Sequence, residues 1–500
     1  MMLAAPVSRP AQTMRSVLAA VAAAFFVLGG HFWMIDRAGS PVPVHDQWLA
    51  EGEMLYVPLM EHRFSAAIFL HPHSEHIIAP TRILALGLFE LNRHVWDVRL
   101  QMTVNAFLAA ALAALVVIIA ARQLGPRTLV IFAAVSGGLL ASPLFYGNAL
   151  WGFQSQFYFL LLFAIAHLDL VIRSTVFSLR WWLGILFSLL ACVSMGSGFF
   201  SAAVVFALSV FALLQRPIAP AQRRDAWANL AVHGAIVAVV AAWLPKPAEV
   251  PFDLGAAGHT LVHCLSWPQR FFTPWGAWVW LPFAVFALSH LSRRRPSHSE
   301  WMILALGAWV LLQILAISLR RNSPTVVITP RYYEIFWLGL VANTLALDAW
   351  IRRIGGGFAS IGRGALAASA AVWLIVVITK AGSFAESHRR YDLPAYEAFA
   401  TSQINTVRAF LNTGKIASLQ SAAYPYVPHP DSVYLARMLA NPTLRSVLPT
   451  ELTGHPAPFL ERAAAAVRRS AIIWMAVALI LFLCALSRPR VLAEAQAPAN

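Results

Sequence analysis

Apolar residues run along this chain in blocks of about twenty, each closed by a short polar or basic stretch. The blocks fall at about 16–36, 100–121, 128–147, 157–172, 181–197, 199–215, 228–245, 276–292, 301–319, 333–351, 364–380 and 470–487. A helix needs about 20 apolar residues to cross the hydrocarbon core of a bilayer. The pattern therefore predicts an all-α polytopic membrane protein with about twelve transmembrane helices. No self-similarity at a fixed period is visible, and the two halves show no matching pair of Gly/Pro-broken helices of the kind that marks inverted-repeat transporters.

Between the blocks lie three longer polar segments: 37–99, then 246–275 with 320–332 in the same register, and 381–468. In the first, Pro80 suits the first turn of a helix running to about Leu91. That helix is apolar but too short to span, and Arg82 interrupts it, so it should lie in the interface plane, as should residues 47–60. In the third, "LPAYEAFATSQINTVRAFLNTG" reads as an amphipathic helix. Phe399, Val407, Phe410 and Leu411 fall on or near one face, and Gly414 is the stop. "NPTLRSVL" reads as a short helix with Asn441 as cap and Pro442 in the first turn. The expected organisation is a tail and signal-anchor helix over 1–36, a first outer loop over 37–99 and a transmembrane bundle over 100–380. A small helical outer domain over 381–468 and a last span with its tail over 469–500 complete it.

Composition agrees with the pattern. The chain is 59% hydrophobic and 12% charged, with mean hydropathy +0.66, against about 25% charged residues in soluble domains. The net charge of +15 sits in short clusters between apolar blocks. With the N-terminus inside, every expected inner loop is basic: Arg122 and Arg127; Arg173 and Arg180; Arg216, Arg223 and Arg224; Arg293–Arg295; Arg352, Arg353 and Arg363. This is the positive-inside pattern, and it predicts a plasma-membrane (inner-membrane) protein with both termini cytoplasmic. No basic stripe with interleaved aromatics lies on a polar domain, which excludes a nucleic-acid footprint. The three cysteines, Cys192, Cys264 and Cys484, are too scattered for a disulfide framework or a Cys-based zinc site.

Chemistry concentrates in the first polar segment. "FLHPHSEHIIAPTR" places His71, His73, Glu75 and His76 within six positions. Three readings compete. The imidazoles of His71, His73 and His76 would suit zinc with an open position, although a structural zinc closes with four ligands and no cysteine is near. The cluster would equally serve as a hydrogen-bonded loop at a wet interface. Or Glu75, His73 and His76 bind sugar hydroxyls or phosphate, or steer a divalent cation. Among intramembrane groups, Asp169 near Arg173 and Asp348 near Arg352 read as structural pairs, and His233 as a bonded packing residue.

"HDQW" after the first block, "HSEH", "NALWGFQSQFYF" at 148–159 and "TPRYYE" at 329–334 together resemble a group of bacterial multi-spanning proteins similar to the GT-C superfamily of membrane glycosyltransferases. In that group the second motif more often reads His-Asn-Glu-His-Arg; Ser74 and Ile77 stand here in place of its Asn and Arg. The resemblance implies an enzyme that takes sugar from a polyprenyl-phosphate donor and transfers it at the outer face. Asp46 occupies the position of the essential first-loop acid. Many members carry a second acidic motif in the next outer loop, whereas "YGNALWGFQSQ" has no carboxylate.

Such a transfer needs a base for the acceptor proton and cations for the departing phosphate. Asp46 is the expected base, its plainer role being a cap for the helix starting near Gln47. Arg320, Arg321 and Arg331 are basic on the side that the charge rule leaves neutral, and arginine suits bidentate phosphate contact; snorkelling is the plainer role. Arg331 and Tyr332 of "TPRYYE", with Gln154 and Gln156 at a helix mouth, are the expected substrate contacts beside Glu75, His73 and His76. Trp151, Phe153, Phe157 and Tyr158 suit ring stacking or an interface belt. The competing functions are a transporter or flippase of lipid-linked glycans and a non-catalytic assembly protein of the same fold.

Overall fold

A computed structural model of the chain describes residues 9–214, 219–243, 252–269, 278–291, 296–321, 328–354 and 360–487. Among them the secondary structure is helical, apart from one isolated bridge between His73 and His76. The first helix, α1, spans Arg9–Ala38. A long loop holds a π-helical turn at Trp48–Tyr56 and helix α2 at Ala79–Leu91. The bundle continues with α3 (Val98–Ala120), α4 (Pro126–Leu140), α5 (Ser155–Arg173), α6 (Leu179–Cys192), α7 (Phe200–Leu214) and α8 (Pro220–Trp243). Then come α9 (Leu254–Ser266), α10 (Leu281–Leu291), α11 (His298–Arg320), α12 (Tyr333–Ile354) and α13 (Ser360–Ser387). Helices α14 (Leu393–Thr413), α15 (Ser432–Ala440), α16 (Pro442–Ser446) and α17 (Phe459–Arg469) precede the last helix, α18 (Ala471–Leu486).

Within the described residues, each expected apolar block lies mostly on helix. Among the described residues, seven helices are long and apolar enough to cross a membrane, or nine if each of two bent pairs is one span. The pairs are α4 with Pro143–Ala149, bent by 48°, and α17 with α18, bent by 53°. Three further apolar helices are shorter, at Leu179–Cys192, Phe200–Leu214 and Trp278–His290. At 1.5 Å per residue, the 14 residues of α6 reach about 21 Å, short of the roughly 30 Å of hydrocarbon. The described residues thus support seven to nine spans of the about twelve expected.

Helix α1 packs on α3, α4 and α18. Its small residues permit this. A Cβ on Gly30 would overlap the carbonyl of Ala141, and one on Gly29 would come within 2.8 Å of the Ala471 carbonyl oxygen. Close backbone approach through small residues is how apolar helices associate where no water can be expelled. Buried polar groups are tied across helices: His31 Nε2 lies 3.0 Å from the Leu140 carbonyl, Trp337 Nε1 donates to the Ser136 carbonyl at 3.2 Å, and His167 and His233 meet through their Nε2 atoms at 3.1 Å.

Contacts sort the loops into two ends. At one end Arg122 pairs with Asp169, Arg352 donates to the Gln123 carbonyl, and His298 reaches the Ile172 carbonyl at 2.9 Å. The expected Asp348–Arg352 pair forms at 2.6 Å. Asp169 differs from expectation: its ion-pair partner is Arg122 on the tip of α3, not Arg173 of its own helix, because the carboxylate faces the neighbouring helix end. At the other end the first long loop, residues 148–156, 196–198 and 328–332, and the segment 393–469 meet one another.

The segment 393–469 matches its sequence pattern closely. Helix α14 ends at Gly414, left-handed at φ 66°, with Val407 and Phe410 buried. Asn441 Oδ1 accepts the backbone N–H groups of Thr443 at 2.8 Å and Leu444 at 3.3 Å. One feature is absent from that pattern: α13 does not stop at the end of its apolar run. It passes through a π-helical turn at His388–Asp392, where Leu393 N donates to the His388 carbonyl, directly into α14.

Candidate functional site

The first long loop builds a cup from three ties. Arg82 of α2 is buried, and its Nη1 donates to the carbonyls of Ile68 (2.6 Å) and His71. This fixes the strand of chain that leads into the histidine cluster. His73 and His76 then close a tight turn, with His73 N donating to the His76 carbonyl at 2.7 Å and His76 N returning to the His73 carbonyl at 3.0 Å. Ser74 takes a positive φ of 52° within it. The third tie is a buried network on Glu51. Its Oε2 accepts from Gln101 at 2.8 Å, Trp96 at 3.0 Å, and Gln47 and Tyr56 at 3.4 Å each. Gln47 is thereby held, and the residue before it is Asp46.

Asp46 does not face the helix that follows. Its Oδ1 accepts from His45 Nδ1 at 2.8 Å, and its Oδ2 lies 3.9 Å from His73 Nε2. Burial opposes its ionisation, but the His45 hydrogen bond and the nearby His73 imidazole outweigh it and hold the carboxyl well below the usual carboxylate range. The same bond raises His45 above the ordinary histidine value, against burial.

The other residues singled out in the sequence distribute around this pair. His76 Nδ1 accepts the Gly196 N–H at 3.2 Å, so the ring is neutral with its proton on Nε2, 3.9 Å from Glu75 Oε1. Burial lowers its pKa. His71 is exposed and turned back to the Pro72 carbonyl at 2.9 Å. The three imidazoles therefore go to three different partners. Among the described residues no group of three or more His, Cys, Asp or Glu is placed to hold a metal.

Arg331 brings its charge to the cup, where it disfavours the protonated forms of His45 and His76. Its Nε is buried without a hydrogen-bond partner. Tyr332 accepts from Arg321 Nε at 3.4 Å and packs edge-on against Phe157, while Phe153 packs edge-on against His73. Gln154 and Gln156 are buried rather than open at a helix mouth, and the Oε1 of each lacks a partner.

Some site residues escaped the sequence reading. Glu334, the last residue of "TPRYYE", accepts from Asn148 Nδ2 at 2.7 Å and from Tyr158 at 3.4 Å. The 148–156 loop, which carries no acid of its own, thus receives one from α12. The segment 393–469 closes the cup from above. His45 N donates to the Pro428 carbonyl at 2.8 Å, the rings of Tyr424 and His429 each lie 5.8 Å from His45, and Tyr434 donates to Glu53 at 3.0 Å. A largely apolar cavity of about 230 Å³ opens between the loop and α14, against the Val44 and Gln47 that flank the His45–Asp46 pair in the chain. Val44, Gln47, Trp151, Phe399, Gln403 and Tyr424 are among its walls. Trp151 Nε1 and Gln403 Oε1 are unpartnered there. The chain matches no family model, no curated protein and no solved structure.

Proposed function

We propose that the chain is an integral-membrane glycosyltransferase of GT-C type that moves a sugar from a polyprenyl phosphate to a glycan, lipid or protein acceptor. It sits in the plasma membrane with both termini cytoplasmic and the cup facing out. The observation that carries this reading is Asp46. Its carboxylate is held by His45 and His73, Arg331 acts on the same His45, and Val44 and Gln47 on either side of the His45–Asp46 pair line an apolar cavity.

The chemistry follows from that placement. An acceptor hydroxyl oxygen bonds to the anomeric carbon as the carbon–oxygen bond to phosphate breaks. The electron pair leaves with the prenyl phosphate, towards Arg331, and the hydroxyl proton passes to Asp46. A carboxylate with a lowered pKa is a weak base towards a free alcohol. It becomes competent as the attacking hydroxyl turns acidic in an oxocarbenium-like transition state. Before that it orients the acceptor by accepting its hydrogen bond. Arg331 suits the phosphate through its planar fork, and the apolar cavity suits the first prenyl units.

The test is Asp46→Asn in cells that lack the chromosomal copy. The variant keeps the shape and loses the base, so transfer to the cell's glycan or glycolipid should fall on the order of 10²–10⁴-fold, the range for general acid–base groups, at unchanged protein level. Full complementation by the variant would refute the reading and leave a non-catalytic protein of the same architecture.

A further inference from the structure

A second polar pocket lies away from the Asp46 cup, where α17 bends into α18. It encloses about 580 Å³ and is lined by Asp36, Arg99, Glu451, Glu461, Arg462, Arg468 and Arg469, among others. Residues 461, 462, 465, 468 and 469 of α17 all face it, the i, i+3, i+4, i+7 spacing of one helical stripe. Four arginines stand against three carboxylates. Arg99 is taken by Glu451 and Asp97, and Glu461 Oε1 accepts the Thr450 hydroxyl at 2.9 Å. Beyond the Arg99–Glu451–Asp97 group, three arginines of α17, Arg462, Arg468 and Arg469, face two carboxylates, Asp36 and Glu461. Among the described residues, Arg462 and Arg469 have no ion-pair partner. Arg468 is 3% exposed, is fixed through Nη1 to Thr103 Oγ1 at 2.8 Å, and has a buried Nε without an acceptor. The exposed guanidiniums of Arg462 and Arg469, with the buried Arg468 held behind them, fit the oxygens of a phosphate.

The surroundings say what carries that phosphate. One residue after Arg469 the 16-residue apolar helix α18 begins, and it exposes Ile472 (73%) and Ile473 (64%), then Leu479, Ile480 and Leu483. An acyl chain laid along that face puts its head group at the pocket. We propose that this pocket binds the phosphate of an anionic phospholipid, locking the bent α17–α18 corner at head-group level. The site needs α18 to span the membrane and is independent of glycosyl transfer.

The experiment uses the purified, delipidated full chain in detergent, titrated with dioleoylphosphatidylglycerol and read by native mass spectrometry, with dioleoylglycerol and inorganic phosphate as separate arms. The phosphatidylglycerol adduct should form without being matched by dioleoylglycerol, and millimolar inorganic phosphate should not displace it. Exposed Arg462→Gln with Arg469→Gln leaves the buried Arg468–Thr103 bond in place. It should weaken the adduct roughly thirtyfold, from about fivefold per basic residue at a membrane surface. Arg127→Gln, at the opposite end, should leave the affinity as it is. Equal affinity in the double variant, equal binding of dioleoylglycerol, or displacement by inorganic phosphate would each overturn the proposal.

Discussion

Glu51 offers the sharpest quantitative test of how the cup is held. It is fully buried, four donors converge on its Oε2, and its Oε1 has none. Burial pushes its carboxyl up from 4.5 to about 7, against those four hydrogen bonds. The folded state thus holds this proton more tightly than the unfolded chain does. The stability it contributes is fully present below pH 4.5 and is lost as pH rises through about 7. At about 1.36 kcal/mol per pH unit the loss is roughly 3 kcal/mol. Glu51→Gln has the shape of the neutral acid, keeps an acceptor oxygen for the four donors, and cannot ionise. The difference in melting temperature between wild type and Glu51→Gln should therefore move in the variant's favour from pH 4.5 to 7.5. Thermal unfolding of the two proteins in one detergent, followed by tryptophan fluorescence, measures it. Glu51→Ala instead strands the buried Trp96 Nε1 at about 1–3 kcal/mol, while Gln47, Tyr56 and Gln101 keep their bonds to Gln101, Ala85 and Tyr56, and it should be less stable at every pH. Parallel melting curves for wild type and Glu51→Gln across that pH range would show that Glu51 does not titrate there and would refute the account.

Other outcomes follow from the same geometry. Arg331→Lys keeps charge but loses the fork, so initial transfer rates should fall further than in Arg320→Lys; equal rates would remove Arg331 from the phosphate. Reporter fusions after residues 224, 295 and 500 should read as internal and one after residue 420 as external, and the reverse would invert the functional map. Gly30→Ala puts a methyl against the Ala141 carbonyl and should destabilise by about 1–3 kcal/mol, as overpacking does; an unchanged melting temperature would show that α1 and α4 can separate at no cost.

Helix positions and caps were legible because their causes are local. Hydropathy placed α1, α3, α5 and α11, and Asn441 and Gly414 announced a start and a stop through their own backbone chemistry. Partners distant in the chain were not. Nothing near Asp169 says that Arg122, 47 residues away, faces it more squarely than Arg173. The same holds for Glu334 against Asn148, for Gly196 against His76, and for Pro428 over His45. Motif and basic character single out Asp46 and Arg331, but the histidine that grips Asp46 stood unremarked beside it in "HDQW". The short blocks misled in one respect: an apolar run sets composition, while α6 stops after 14 residues, which composition does not reveal.

The unbroken passage from α13 into α14 ties the cup to the bilayer mechanically. Tyr396, Phe399 and Gln403, on one side of the cavity, ride on the far arm of a helix whose near arm is the apolar run beginning at Gly364. From Val377 to Phe399 is about 33 Å at 1.5 Å per residue. Tilting such an arm by about 5° moves its end by about 3 Å, the width of a water molecule. The cavity wall supplied by Tyr396, Phe399 and Gln403 therefore shifts together with the apolar run beginning at Gly364, except where the helix bends at the π-helical turn of 388–392.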